Sequence, residues 1–291
     1  MSVVVVGDLM VDVVAWASAP LAHASDTPAQ ITTHPGGGGA NVAARLAEAG
    51  VTTLLVARAG NDPSGRAAVE DLRAAGVRTN VAVDPLRPTG TCVVIVEPDG
   101  ERTMLPDRGA NGALTPADLP VEELRSATHL HLSGYTLLDP GSRAAGLVAL
   151  EHARAAGASV SVDPASAAPL RGAGARAFLG WIRKADVLLP NLEEAAVLTG
   201  APDPEAAAWA LARDHTEVVI TLGAAGAMWS DGEQVVRAEA AAAQAPVDTT
   251  GAGDAFTAGW LAARLGGAEP AEALAAANEL AARTLRRAGA R

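Results

Sequence analysis

The feature that most restricts the fold is a repeated alternation of short apolar, β-branched runs with segments of helical periodicity. Val3–Val6, closed by Gly7, reads as a buried strand, and Asn41–Ala49 as a helix stopped at Gly50. Thr53–Ala57 is the next strand and Gly65–Ala75 the next helix. Further on, strands at His129–Leu132, Val160–Val162, Val187–Leu189 and Val218–Thr221 alternate with helices at Ser142–Ala156, Leu192–Leu198 and Pro204–Asp214, and Trp181 closes another helix. Two long helices, Gly253–Leu265 and Pro270–Arg287, finish the chain. Continuous apolar strands separated by helices specify parallel strands joined by crossovers, buried on both faces. Two stretches break the rhythm. Residues 13–35 lack a helical pattern, and residues 81–107 read as strands around a Pro98-Asp99-Gly100 turn, so both are expected in a small β sheet outside the main one. The expectation is a single α/β domain over residues 1–291.

Composition narrows the functional classes. Aromatic residues are only 3% of a chain that is 49% hydrophobic, so the core must be Ala, Val and Leu. A formal charge of −11 repels phosphate backbones and argues against a nucleic-acid partner. It does not argue against a nucleotide, which backbone N–H groups and a cation can hold locally. The lone Cys92, in a β-branched run, reads as a small buried residue. No leader-like N-terminus and no membrane-length apolar span is seen, so a cytoplasmic protein without a membrane partner is expected.

The most specific local signal is Asp248-Thr249-Thr250-Gly251-Ala252-Gly253-Asp254-Ala255-Phe256, just before an apolar helical pattern. Small residues at a helix start let unpaired N–H groups approach an anion, and the helix dipole favours negative charge there. Asp254 beside such an anion hole can take a proton from an attacking hydroxyl, with the dipole holding it ionised. It can equally be a helix-capping acid. Pro35-Gly36-Gly37-Gly38-Gly39-Ala40-Asn41 offers close backbone approach and an amide for ligand hydroxyls, or a loop with Asn41 as N-cap. Asp8 and Asp12 lie past a strand end, where ligands of parallel sheets bind, or are solvated turn acids. Asn191 and Glu194, one helical turn apart, suit water around Mg²⁺ or a capping box. Thr221-Leu222-Gly223-Ala224-Ala225-Gly226 follows a strand and can touch a nucleotide, or is a plain glycine turn. His129 and His131 read as satisfied core residues.

Taken together and in this order, these motifs resemble the ribokinase, or pfkB, family of carbohydrate kinases along nearly the whole chain. Gly60-Asn61-Asp62…Gly65 and Asn278 followed by Gly289-Ala290 belong to the same pattern. The resemblance implies a three-layer α/β/α sandwich with a central, mostly parallel sheet, and a small β-sheet lid formed by segments of about 13–35 and 81–107. It implies an ATP- and Mg²⁺-dependent kinase acting on a primary hydroxyl of a small sugar that is ribose-, fructose- or ketodeoxysugar-like. Asp12, Gly37 and Asn41 would hold the sugar. Asp254 would be the base, with Gly251, Ala252 and Gly253 as the anion hole. Asn191, Thr221, Gly223, Gly226 and Asn278 would line the nucleotide site, with Glu194 organising Mg²⁺ through water and Asp248 available to a monovalent cation such as K⁺. Relatives of this kind can pair through the lid, so a homodimer is a further expectation.

Three departures from the family pattern stand out, two of them bearing on the acceptor and the third on the monovalent-cation site. Met10 stands where ribokinase has Asn, Ser133-Gly134-Tyr135 stands where it has Glu, and the chain ends at Arg291, just short of a further K⁺ ligand. The first two remove hydroxyl-binding groups and argue against ribose itself. A nucleoside kinase of the same family and a non-catalytic sugar-binding sensor on this fold stay open as competing readings.

Overall fold

The structure, a computed structural model, describes residues 2–99, 101–183, 185–241, 250–286 and 289. The strands are β1 (Ser2–Val6), β2 (Met10–Ala17), β3 (Ala29–Gly36), β4 (Thr52–Gly60), β5 (Arg78–Asp84), β6 (Gly90–Val96), β7 (Arg102–Asp107), β8 (His129–Ser133), β9 (Ser159–Asp163), β10 (Val187–Leu188), β11 (Glu217–Thr221), β12 (Ala227–Ser230) and β13 (Val235–Ala238). The helices are α1 (Gly38–Glu48), α2 (Pro63–Ala74), α3 (Val121–Ser126), α4 (Tyr135–Leu138), α5 (Arg143–Ala155), α6 (Ala167–Ala173), α7 (Ala175–Trp181), α8 (Leu192–Thr199), α9 (Pro204–Leu211), α10 (Ala252–Leu265) and α11 (Pro270–Thr284).

Nine strands form the large sheet in the order β13-β12-β11-β10-β9-β8-β1-β4-β5, parallel from β11 to β5 and antiparallel only at β12 and β13. The alternation within β1 shows how the sheet separates two cores. Val4 and Val6 pack with Leu130, Leu150, Phe178 and Leu198 on one face, while Val3 and Val5 pack with Leu46, Leu72, Trp260 and Leu274 on the other. Helices therefore cover both faces, which is the three-layer sandwich expected of near-continuous apolar strands.

The small sheet has the order β3-β2-β6-β7. Its first half agrees with the helix-free stretch 13–35, extended back to Met10. The second half needs a correction, because Arg78–Asp84 is β5, the parallel edge strand of the large sheet. Arg58 of β4 holds the buried Asp84 carboxylate at 3.0 Å, and the Leu86 and Arg87 amides cap it at 2.9 Å. That fastening turns the chain out of the large sheet, so the small sheet resumes only at Gly90. Asp62 of the Gly60–Gly65 motif caps α2 through the Gly65 amide and also accepts from Thr89 N and Oγ1. The motif is thus a brace between α2 and the entry to β6. Helix ends differ by a few residues from expectation, with α9 stopping at Leu211 and α11 at Thr284. Cys92 is buried in β6 as a small residue. Among the described residues no helix is long and apolar enough to cross a membrane.

His129 and His131 are buried in β8 and satisfied by serines of β9. His129 bonds Ser159 and Ser161 at 2.7 Å each, and His131 bonds Ser161 at 2.9 Å. Burial lowers His129 to about 4 and His131 to about 3. Both are neutral in the folded chain, whereas an unfolded histidine takes a proton near pH 6.5. Their contribution to stability is therefore full above that pH and is lost as pH falls toward 4. The difference in unfolding free energy between the wild type and a His129→Gln/His131→Gln variant is expected to shrink below pH 6.5. The slope approaches about 1.4 kcal/mol per pH unit for each histidine. Urea titrations at several pH values measure it, and a flat difference would contradict the assignment.

Candidate functional site

The site begins where β1 ends. Gly7 and Gly39 cross so closely that a Cβ on either would lie 2.7 Å from the other's Cα. Gly37 takes φ +94°, and a Cβ there would stand 2.6 Å from the Asp8 carbonyl oxygen, so the turn accepts only glycine. The Ala40 amide then donates to the Asp8 carbonyl at 3.0 Å and the Gly39 amide to Asp8 Oδ1 at 3.2 Å. These contacts hold the start of α1 over the carboxyl end of the parallel strands, where open α/β sheets place ligands.

Asn41, in the first turn of α1, donates from Nδ2 to Asp254 Oδ2 at 2.7 Å. Its Oδ1 is buried without a hydrogen-bond partner among the described residues. An orphaned buried acceptor beside a carboxylate marks a place for a donor that the chain itself does not supply. Gly38 lies between two acids: a Cβ there would be 3.3 Å from Asp254 Oδ1 and 3.8 Å from Asp8 Oδ1. Asp12, on β2 and buried, lies against Gly36, where a Cβ would overlap its carboxylate at 2.5 Å. The structure thus brings Asp12, Gly37, Asn41 and Asp254 to one place.

Gly251 caps α10 in the left-handed region at φ +74°, and Gly253 has open space where a Cβ would be. The first amides of the helix have no intrahelical acceptor and form an anion-receptive end. Asp254 is half-buried there, and its ionisation differs from the sequence expectation. Burial first, then the charges of Asp163, Asp8 and Asp12, push its carboxyl up to about 7, against the opposing Asn41 hydrogen bond. A cluster of acids outweighs the helix dipole, because the dipole is worth about 1 kcal/mol and each buried like charge opposes it.

Asp163 at the end of β9 carries no assignment in the sequence reading. It is the same kind of signal as Asp8, an acid just past a strand end. Its Oδ1 accepts from the Ala165 amide at 2.7 Å, and Ala165 sits at φ +77°, a strained value for a non-glycine residue. Burial and Glu194 raise Asp163 to about 7, and burial raises Glu194 to the same range. Asn191 and Glu194 do form the capping box: Asn191 Oδ1 accepts from Glu194 N, and Glu194 Oε2 accepts from Asn191 N, each at 2.9 Å. The box aims a buried glutamate toward Asp163, so capping and an acidic pocket coexist. Among the described residues no group of three or more His, Cys, Asp or Glu side chains is arranged to hold a metal by itself.

The nucleotide-side candidates also converge. Asn191 bridges to Thr221, next to the tight turn Gly223–Ala225. Gly226 packs on the Ala238 carbonyl, and Asn278 Nδ2 donates to the carbonyls of Ala238 and Glu239 at 3.3 and 2.9 Å. Asn278 therefore braces the segment that Gly226 touches, its amide nitrogen being spent on backbone. Gly289 departs from this group and lies against the His34 ring of β3. Asp248 lies outside the described residues. Arg108 is a further residue the sequence reading missed. Its Nη1 reaches Asp8 Oδ2 at 3.2 Å, and its guanidinium lies over the Tyr135 ring at 4.4 Å.

A family model described as pfkB family carbohydrate kinase matches residues 1–291. An ATP-dependent ribose-1-phosphate kinase of Halopiger xanaduensis is 34% identical over 88% of this chain and 82% of its own. The adenosine kinase of Sinorhizobium meliloti superposes with a TM-score of 0.91 at 26% identity, covering 100% of this chain and 95% of that one. An E. coli protein described as a candidate ribokinase II, solved with ATP and Mg²⁺, superposes with a TM-score of 0.89 at 26% identity, covering 99% and 94%.

The acid cluster makes a prediction that is independent of any reaction. The Asp254 carboxyl is expected to titrate near pH 7 by carbon-detected NMR. Asp163→Asn should lower that midpoint by removing a like charge, and Asn41→Ala should raise it by removing a bond to the charged form. A midpoint near 4 in the wild type would mean that the cluster does not act on Asp254.

Proposed function

The chain belongs to the pfkB family of carbohydrate kinases, and from that premise we propose that it transfers the γ-phosphate of ATP to a primary hydroxyl of a small sugar, with Asp254 as the base. The observation that carries this reading is the Asn41–Asp254 pair at 2.7 Å with Asn41 Oδ1 left unpartnered, beside the open N-terminus of α10. An acceptor hydroxyl can donate to the free amide oxygen while Asp254 receives the proton of the attacking hydroxyl. The acceptor oxygen forms a bond to the γ-phosphorus, the bond from that phosphorus to the bridging oxygen breaks, and ADP leaves. The amides of Gly251, Ala252 and Gly253 face the charge that develops on the transferring group. Asp12 and the Gly36–Gly38 backbone orient the sugar.

The donor set suits Mg²⁺, which prefers oxygen and keeps several waters. Glu194, with Asp163 near it, would hold the ion through water, and the ion would neutralise phosphate oxygens when bound. Thr221, Gly223, Gly226 and Asn191 line the nucleotide side, and Asn278 acts through the Ala238–Glu239 backbone. The small sheet carries Asp12 and serves as a lid that excludes water.

The nucleoside reading is weaker on one observation. A nucleoside needs an apolar pocket for its base, which Met10, Met104 and Tyr135 could supply, and here the Arg108 guanidinium lies over the Tyr135 ring at 4.4 Å. The sensor reading is decided by turnover, read as ADP release over a panel of sugars and nucleosides. No release with any acceptor, with sugar binding intact, would leave the sensor reading standing.

Three outcomes are expected of the enzyme. Asp254→Asn keeps the shape and removes the base, so kcat should fall by about 10²–10⁴-fold while both substrates still bind. A loss of less than about threefold would reduce Asp254 to a helix cap. In the wild type, log kcat/KM should rise with pH and level off above about 7, because the base form appears only as the raised carboxyl ionises. Asp12→Ala should weaken acceptor binding by about 1.5–3 kcal/mol with little change for ATP.

A further inference from the structure

Arg108 follows β7 at the point where the small sheet returns to the large one. Its backbone is clamped: Asn111 Nδ2 donates to the Arg108 carbonyl at 3.1 Å and to the Leu9 carbonyl at 2.9 Å, and Asn111 Oδ1 accepts from Leu9 N at 2.9 Å. The guanidinium is held on the Tyr135 ring and touches Met10 Sδ at 3.6 Å, so both residues that replace hydroxyl-binding groups now seat a cation. Its bond to Asp8 is a single one from Nη1 at 3.2 Å, and Asp8 already accepts from the Gly39 amide and Ser133 Oγ. An arginine placed only to neutralise a carboxylate gains most from a bidentate fork. Here Nε is buried without a partner, and Nη1 is the one guanidinium nitrogen with a hydrogen bond among the described residues. The side chain is 21% exposed, so it remains open to a ligand.

Direction follows from Asp8. Its Oδ1 shares the space over Gly38 with Asp254, and its Oδ2 holds Arg108. Arg108 thus meets the oxygen of Asp8 other than the one that shares that space with Asp254. The carboxylates of Asp8, Asp12, Asp163 and Asp254 repel an anion near the base except at the amides opening α10, where Arg102 is engaged with Thr250, and Arg108 is the fixed cation on the Asp8 side among the described residues.

We propose that Arg108 determines acceptor specificity by receiving an anionic group, a carboxylate or a phosphate, at the end of the sugar remote from the phosphorylated hydroxyl. This rests on the kinase reading only for which end reacts. The test is calorimetric binding without nucleotide, using D-ribose 1-phosphate against D-ribose and 2-dehydro-3-deoxygluconate against D-fructose. At least one anionic member should bind about tenfold or more tighter than its neutral counterpart, and which pair responds separates phosphate from carboxylate. Arg108→Met should reduce that anionic-to-neutral ratio by about 10–100-fold, the worth of hydrogen bonds to a charged group. Arg108→Lys should restore part of it, and melting temperatures should show both variants folded. A wild type that binds the neutral members equally well, one that binds none of the four, or a ratio unmoved by Arg108→Met would each overturn the proposal. Turnover with ATP separates the two readings. A neutral sugar phosphorylated without anionic preference removes only this inference, and an anionic sugar bound through Arg108 but never phosphorylated removes only the kinase reading.

Discussion

The whole arrangement depends on how closely the glycine turn of residues 36–39 can approach the end of β1. Gly7 and Gly39 touch backbone to backbone, and the Asp8 carbonyl and carboxylate both accept amides from the start of α1. Any side chain at Gly7, Gly37 or Gly39 would push α1 off the sheet. Asn41 would then leave Asp254, and the small sheet, continuous with this turn through β2 and β3, would shift with it. A run of glycines is entropically costly to order. Here the cost is offset because one contact positions three things at once: the helix, the small sheet and the Asn41 amide.

The second constraint is electrostatic. Asp8, Asp12, Asp163 and Asp254 converge in a protein of net charge −11, with Glu194 behind them. Burial first, and then repulsion from neighbouring acids, shifts Asp254, Asp163 and Glu194 all toward 7. This costs stability, and strained Ala165 adds to the cost. It also leaves a proton acceptor balanced near neutrality, where general bases work best, and a concentration of negative oxygen that favours a divalent cation.

Most of the fold was legible because it is written locally. The β-branched runs and intervening helices, the glycine turn before α1, and the small residues opening α10 each depend on a few adjacent residues. What escaped was non-local. The strand Arg78–Asp84 joined the large sheet because Arg58, distant in sequence, captures Asp84. Asp254 was expected to be ionised from its own helix, whereas its state is set first by burial and then by Asp163, Asp8 and Asp12. Arg108 gave no signal, since an arginine after a strand is ordinary until Asp8, Met10 and Tyr135 are seen to surround it. Capping and function were posed as alternatives at Asn191–Glu194, yet the capping box is what fixes the glutamate's direction.

Coupling between the two halves of the site follows from the same geometry. Arg102 of β7 donates to Thr250 Oγ1 at 3.2 Å, joining the small sheet to the residue just before Gly251. Arg102 pairs in register with Val96 of β6, and Cys92 of β6 pairs with Asp12 of β2. A hydrogen-bonded sheet moves as a unit, so a displacement of Asp12 is transmitted to Arg102 and hence to the start of α10. The small sheet cannot move as a unit without disturbing the Arg102–Thr250 bond. On the proposed kinase reading, binding of a sugar at Asp12 and order at the start of α10 would be linked through this one hydrogen-bonded sheet and its bond to Thr250.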